Sequence, residues 1–327
     1  MNMKHYRSLL AAGLTLGMLV SLAGCGTAKE NEMEQTEAVQ EEDTENISTD
    51  AVSGVVHIAT KPMTEQYILG EMLSMLIEQA GYQTEITKGV GGGTNNIQPA
   101  MEKGDFDLYP EYTSSGWVLV LNHEAEGVDD DEMFTELQKE YEDNFDMTWI
   151  GKYGFNNTFT VAVRGEVAEQ YGLKTTSDLA AVAGELTFGG NPDYIERQDG
   201  FPTLCEAYGL NFKNVMDIDI GLKYQALASG DIDVTNAFTT DAQLANPENN
   251  VVTLEDDKHL QVNYFCSTVV RKDALEHFPG LEDVLMQMDG ILSDQEMASL
   301  NYQVEVEGQD EADVARAYLQ EKGLLEE

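Results

Sequence analysis

The stretch AMEKGDFDLYPEYTSS, from Ala100 to Ser115, returns without a gap as ALASGDIDVTNAFTTD, from Ala226 to Asp241. Ala100 matches Ala226, Gly104 matches Gly230, Asp105 and Asp107 match Asp231 and Asp233, and the pair Tyr112-Thr113 matches Phe238-Thr239. Each copy reads as a helix end, a glycine C-cap, a short strand and an aromatic-hydroxyl pair where the strand stops. A chain with two such copies is constrained to build two similar halves that offer the same kind of group at the same place. In open α/β sheets ligands bind outside the carboxyl ends of strands, so two such ends facing each other would frame a site between lobes. A helix-to-strand turn used twice for its own sake would give the same letters, since glycine and aspartate favour such turns.

The N-terminus carries Lys4 and Arg7, an apolar run from Leu9 to Leu22, and then Ala23, Gly24 and Cys25. This is the pattern of a secretory signal, with an apolar part too short for a comfortable permanent span. Residues 26–54 are rich in Glu, Asp, Gln, Thr and Asn with almost no large apolar side chains, which is the composition of a tether that cannot bury enough surface to order itself. The rest is long enough for one large or two medium domains. The formal net charge of -42 argues against nucleic acid and against docking on anionic lipid, and suits either a cationic ligand or a merely solvated surface. Beyond Cys25 only Cys205 and Cys266 remain, and they could pair in an oxidising exterior or stay as separate buried thiols.

Along the folded part, Val55 to Thr60 and Gln83 to Thr87 read as strands flanking a helix capped by Thr64. The loop GVGGGT before the next helix lacks a P-loop ending and a full G-x-G-x-x-G, which speaks against a nucleotide. Asp130 to Asn144 reads as an acidic helix, and a helix near residue 177 reads as capped by Ser177 and Asp178. Further strands are expected at 159–163, 186–189, 251–254 and 267–271, with helical segments over 275–293 and a final helix at 311–322. This alternation predicts α/β architecture with mostly parallel sheets.

The segments KPMTEQYILGEML, GDFDLYPEYTSSG, GFNNTFTVAVR, ERQDGFPTL, GDIDVTNAFTTD and LEDDK together resemble the substrate-binding lipoproteins of glycine betaine, carnitine and choline ABC importers, the osmoprotectant-uptake family, in order over nearly all of Val55 to Lys322. LAGC likewise resembles the lipobox of bacterial lipoproteins, with Cys25 as the lipid anchor. The resemblance implies an α/β, two-lobed periplasmic-binding-protein-like (type II) fold with the ligand cleft between lobes joined by hinge strands. Residues 55–156 with 265–327 would form lobe 1 and 157–264 lobe 2, after a signal peptide (1–25) and the tether. It also implies an aromatic cage for a quaternary ammonium at Tyr112, Phe159, Phe238 and Tyr264, two of which are tyrosine in relatives and phenylalanine here. Lys61 and Arg197 match positions that hold a ligand carboxylate, and Gln66 and Ser115 match positions that touch its polar end. The expected partners are an ABC permease and its ATPase, with the chain itself outside the cytoplasm and lipid-anchored to a bacterial membrane.

The chemistry agrees with the residue types. A quaternary ammonium has no N-H to donate, whereas aromatic faces present negative potential over a wide apolar area, each desolvated contact contributing about 0.5 to 2 kcal/mol. Arg and Lys would grip the carboxylate of a zwitterion. Each aromatic taken alone has core packing as its ordinary role, and each cation ordinary surface charge. The histidines are scattered without metal-ligand spacing, and no nucleophile signature stands beside them, so an enzyme is disfavoured and no cofactor or metal is expected. Another small amine or an amino acid bound by the same fold is the alternative.

Overall fold

The computed structural model describes residues 54–326 apart from 125–126, 197–199 and 220, so Cys25, the tether up to residue 53 and Arg197 lie outside the described residues. The strands are β1 (Val55–Ala59), β2 (Gln83–Thr87), β3 (Leu108–Tyr112), β4 (Met147–Asn156), β5 (Phe159–Arg164), β6 (Thr187–Gly190), β7 (Asn214–Asp217), β8 (Val234–Phe238), β9 (Val251–Leu254) and β10 (Phe265–Arg271). They form two five-stranded sheets of order β2-β1-β3-β10-β4 and β7-β6-β8-β5-β9. The orders match role for role, so the second sheet repeats the first.

The repeated segment sets this correspondence. Helices Thr94–Lys103 and Lys223–Ser229 end on Gly104 (φ 83°) and Gly230 (φ 77°), whose following residues, Asp105 and Asp231, donate their N-H to Ala100 and Ala226. Asp107 then accepts from His57 N, while Asp233 accepts from Thr187 N, each carboxylate tying its copy to the neighbouring parallel strand. Only glycine holds this left-handed backbone cheaply, and a Cβ on Gly230 would sit 3.0 Å from Arg164 Nη1. Gly230→Ala is expected to lower stability by about 1–2 kcal/mol, read from urea unfolding.

Both sheets are mixed, which corrects the expectation of mostly parallel pairing. β1 pairs in parallel with β2 and β3, and β6 with β7 and β8, but β10 runs antiparallel to β3 and β4, and β5 antiparallel to β8 and β9. The antiparallel strands β5 and β10 are the ones by which the chain enters a sheet after crossing from the other. Because the crossing delivers them to the cleft-side end, they run back against the strands that arrive through helices.

Helix Thr64–Gln79 buries Ile68, Leu69, Met72, Leu73, Leu76 and Ile77 against β1 and the C-terminal helices, in a core that includes Val314 and Leu319. Its N-cap is Met63, and Thr64 is its first helical residue; the cap of the later short helix is Thr175, with Asp178 completing a capping box, and not Ser177. The second sheet has its own core around Val163, Leu179, Phe188 and Leu204. Cys205 and Cys266 are both free. Among the described residues no helix is long and apolar enough to cross a membrane.

Candidate functional site

Tyr112 ends β3 and Phe238 ends β8, at equivalent places in the two sheets. Both border a cavity of about 320 Å³ whose other walls are Lys61, Met63, Ser115, Asn157, Thr158, Phe159 and Tyr264. Six of the eight residues singled out from the sequence therefore meet at one cavity between the two sheets. Gln66 does not: it is fully buried behind the wall, where its Oε1 accepts from Lys61 N at 3.4 Å and its Nε2 has no partner. Arg197 lies outside the described residues.

The rings are held in different ways. Phe159 and Phe238 are directly paired across the antiparallel β5-β8 ladder, with centroids 4.6 Å apart and an interplanar angle of 26°. Tyr194 backs Phe159 at 5.4 Å, so this face is a stack anchored in the second core. Tyr112 is 5% exposed, with Lys61 Nζ 4.7 Å from its ring centroid and its hydroxyl donating to Glu65 Oε1 at 2.5 Å. Burial, and after it the Glu65 charge, push the Tyr112 phenol well above its ordinary range, so the ring stays neutral.

Tyr264 is placed by the crossing segments. The motif Asn156-Asn157-Thr158 joins β4 to β5, and residues 255–264 return the chain from β9 to β10. Asn156 Oδ1 accepts from Tyr264 N at 2.7 Å while its Nδ2 donates to Asn263 Oδ1 at 2.6 Å; Thr158 Oγ1 donates to Val262 O at 2.6 Å. Thr239, from the second repeat copy, donates to Thr158 O from its backbone and accepts from Thr158 N. The hinge and the cavity thus share residues. Asn156→Ala should loosen Tyr264 and weaken ligand binding by about tenfold with little change in the melting temperature, checked by calorimetric titration.

Lys61 is committed locally. Its ammonium pairs with Glu111, 6% and 0% exposed respectively, and Glu111 also accepts from Thr94 Oγ1 at 2.7 Å and from Tyr112 N at 2.6 Å. Thr94 comes from the end of the glycine-rich loop, which packs over Lys61 with Gly93 at φ 54°. The glycines therefore serve close packing over a buried ion pair.

Sequence reasoning missed Glu65. Read along the chain it is an acid in the first turn of a helix; in space it is 4% exposed and accepts from Tyr112, Asn157 (3.0 Å) and Asn301 (3.4 Å). Burial raises its carboxyl above the ordinary range, with those donors only partly opposing the shift. Among the described residues no cluster of three or more His, Cys, Asp or Glu could hold a metal ion.

Residues 54–321 match the family model described as the substrate binding domain of ABC-type glycine betaine transport systems. The chain is 41% identical over 268 residues to a Helicobacter pylori protein named ergothioneine transport permease/ergothioneine binding protein EgtU, covering 82% of this chain and 47% of that one, so it spans about half the length of that relative. It is 32% identical over 274 residues to the carnitine transport binding protein OpuCC of Listeria monocytogenes, covering 83% of this chain and 88% of the relative. A solved structure titled as a glycine betaine/carnitine/choline ABC transporter matches at a TM-score of 0.77 with 29% identity, covering 83% of this chain and all of that one. The fold is accordingly the two-lobed α/β fold of transport binding proteins, and these relatives are not enzymes. The repeated half-site, the hinge between two like sheets and the family match over 54–321 lead to one assignment: the chain belongs to the family of substrate-binding domains of ABC-type glycine betaine transport systems.

Proposed function

We propose that this chain captures a trimethylammonium zwitterion in the cavity between its two sheets and delivers it to an ABC permease and ATPase, held outside the cytoplasm by a lipid on Cys25. The observation that carries the reading is that Tyr112, Phe159, Phe238 and Tyr264 border one cavity. The ligands named for the relatives, glycine betaine, carnitine and ergothioneine, share a permanently charged trimethylammonium nitrogen and a carboxylate. Rings recognise the first of these, because it has no N-H to donate to a hydrogen-bond acceptor. Several such faces supply enough attraction for micromolar capture once ordering and closure are subtracted.

The carboxylate is assigned to Arg197, because Lys61 already answers the Glu111 charge. Ser115 offers a hydroxyl at the polar end, and Gln66 acts from behind Tyr112. Residues 55–156 with 265–327 would move as one lobe and 157–264 as the other, closing about the hinge. Within the zwitterions, the 41% identity to the Helicobacter pylori protein favours ergothioneine as a ligand beside glycine betaine and carnitine.

A thermal-shift panel of glycine betaine, carnitine, ergothioneine, choline and spermidine tests the reading. At a hundredfold excess over Kd a bound ligand stabilises by about 2.7 kcal/mol, so at least one trimethylammonium zwitterion should raise Tm by several degrees and spermidine should not. A shift with spermidine alone, or with none of the five, would remove the proposal.

A further inference from the structure

Two buried carboxylates stand next to the cavity, and they are treated differently. Glu111 has Lys61 against it. Glu65 has only neutral partners, Tyr112, Asn157, Asn301 and Thr240, and no cation among the described residues is paired with it. A buried carboxylate without a counter-charge is costly to ionise and tends to stay protonated, so a cation arriving beside it would favour its ionised form. Glu65 also lines a second cavity of about 250 Å³ that shares Met63, Asn157 and Phe238 with the first. Its carboxylate therefore stands one ring away from the proposed ligand, joined to that ring by the Tyr112 phenol.

We propose that Glu65 is the counter-charge of the site: ionised, it is matched on binding by the quaternary nitrogen of the ligand, and through its hydrogen bond it enriches the Tyr112 ring that faces that nitrogen. Glu65 is thus a specificity-determining residue that favours permanently cationic ligands, and the inference rests on the function proposed above. It acts through Tyr112, as a positioning residue, and does not touch the ligand. A phenol that donates to a carboxylate gains electron density in its ring, which strengthens the attraction for a cation on the ring face.

The sign of the pH dependence follows. Burial raises the Glu65 carboxyl in the folded protein. Its contribution to stability is fully present below the ordinary carboxylate range and is lost as pH rises through the raised value. A bound cation favours the ionised form, so ligand affinity rises with pH across the same window and binding releases protons there. Asn301 Oδ1 is buried without a partner, while its Nδ2 donates to Thr240 O at 2.9 Å as well as to Glu65 at 3.4 Å. The other charged or titratable groups around Glu65 are Tyr112 on β3, Cys266 on β10, Asp241 and Glu305 across the second cavity, and the Lys61 ammonium, which stands 4.7 Å from the Tyr112 ring centroid and is paired with Glu111. Asp241 is itself paired with Lys223 at 3.0 Å.

The test is calorimetric titration of wild type and Glu65→Gln with glycine betaine and with ergothioneine, from acid to neutral pH in two buffers of different ionisation enthalpy. Neither probe changes charge over that range. Glu65→Gln keeps the side-chain shape and an acceptor for Tyr112, and should bind about tenfold or more weakly at neutral pH, with no pH dependence and no proton release. Its melting temperature without ligand at neutral pH should be unchanged or higher. A variant that binds like wild type, or binds weakly while keeping the wild-type pH slope, overturns the inference and leaves the proposed function standing. Should the variant fail to fold, wild type alone decides: affinity rising with pH together with proton release supports the inference, and a flat profile overturns it. If wild type binds neither probe nor carnitine, the functional reading fails and the inference with it; if carnitine alone binds, it serves as the probe in the same titrations.

Discussion

Phe159→Ala and Phe238→Ala should each weaken glycine betaine or ergothioneine binding by about tenfold or more, whereas Phe159→Tyr and Phe238→Tyr should change it by no more than about threefold. The two rings are cross-strand partners stacked at 4.6 Å, so removing either takes away one cation-attracting face and the support of the other. The double alanine variant should therefore cost less than the sum of the single losses, because the second ring has already lost its neighbour. Restoring a hydroxyl leaves the ring face intact. Calorimetric titration of wild type and the five variants checks this, and equal effects of alanine and tyrosine would show that these rings do not face the ligand.

Lys61→Met should destabilise the protein by about 3–5 kcal/mol, because it leaves Glu111 charged at 0% exposure with only neutral donors from Thr94 and Tyr112. Adding Glu111→Gln should return much of that loss. The substitution also separates two roles for Lys61. If the lysine serves the buried pair, any fall in affinity should be the same for choline and for glycine betaine, since the effect reaches both through the position of Tyr112. A loss confined to the zwitterion would mean that Lys61 grips the ligand carboxylate in spite of Glu111. Urea unfolding and paired titrations read the two quantities, and a stability change below about 1 kcal/mol would contradict the first.

What could be read from the chain was what short-range chemistry encodes. The glycine-aspartate turn of the repeat is local, and it places both Tyr112 and Phe238 at strand ends. The aromatic after Asn156-Asn157-Thr158 is legible only through the family resemblance, because the bonds that tie that motif in place reach residues about a hundred positions away, Asn263, Glu65 and Val262. Strand β4 is not legible in the sequence because Gly151 (φ 65°) and Gly154 (φ 107°) break its alternation, and its burial does not follow a simple two-residue period. Strand β7 is exposed along its whole length and so carries no apolar signature. Helix Asp294–Glu305 was lost because Ser293 reads as the end of the preceding helical stretch; it is the N-cap of a new helix, with Glu296 closing a capping box. The mixed pairing and Glu65 share one cause. Both depend on segments that arrive from far along the chain: β10 and β5 across the hinge, and Asn301 at a separation of 236 residues from Glu65. No spacing rule within Thr64-Glu65-Gln66 could reveal that both Glu65 and Gln66 are buried and that Glu65 is the one that borders a cavity.

The most direct measurement is a crystal structure of the protein with glycine betaine or ergothioneine bound. The account predicts the trimethylammonium nitrogen within about 6 Å of the ring centroids of Tyr112, Phe159, Phe238 and Tyr264, with the Glu65 carboxylate on the far side of Tyr112. A ligand nitrogen seated away from these four rings, or in contact with Glu111 or Asp241 instead, would contradict it.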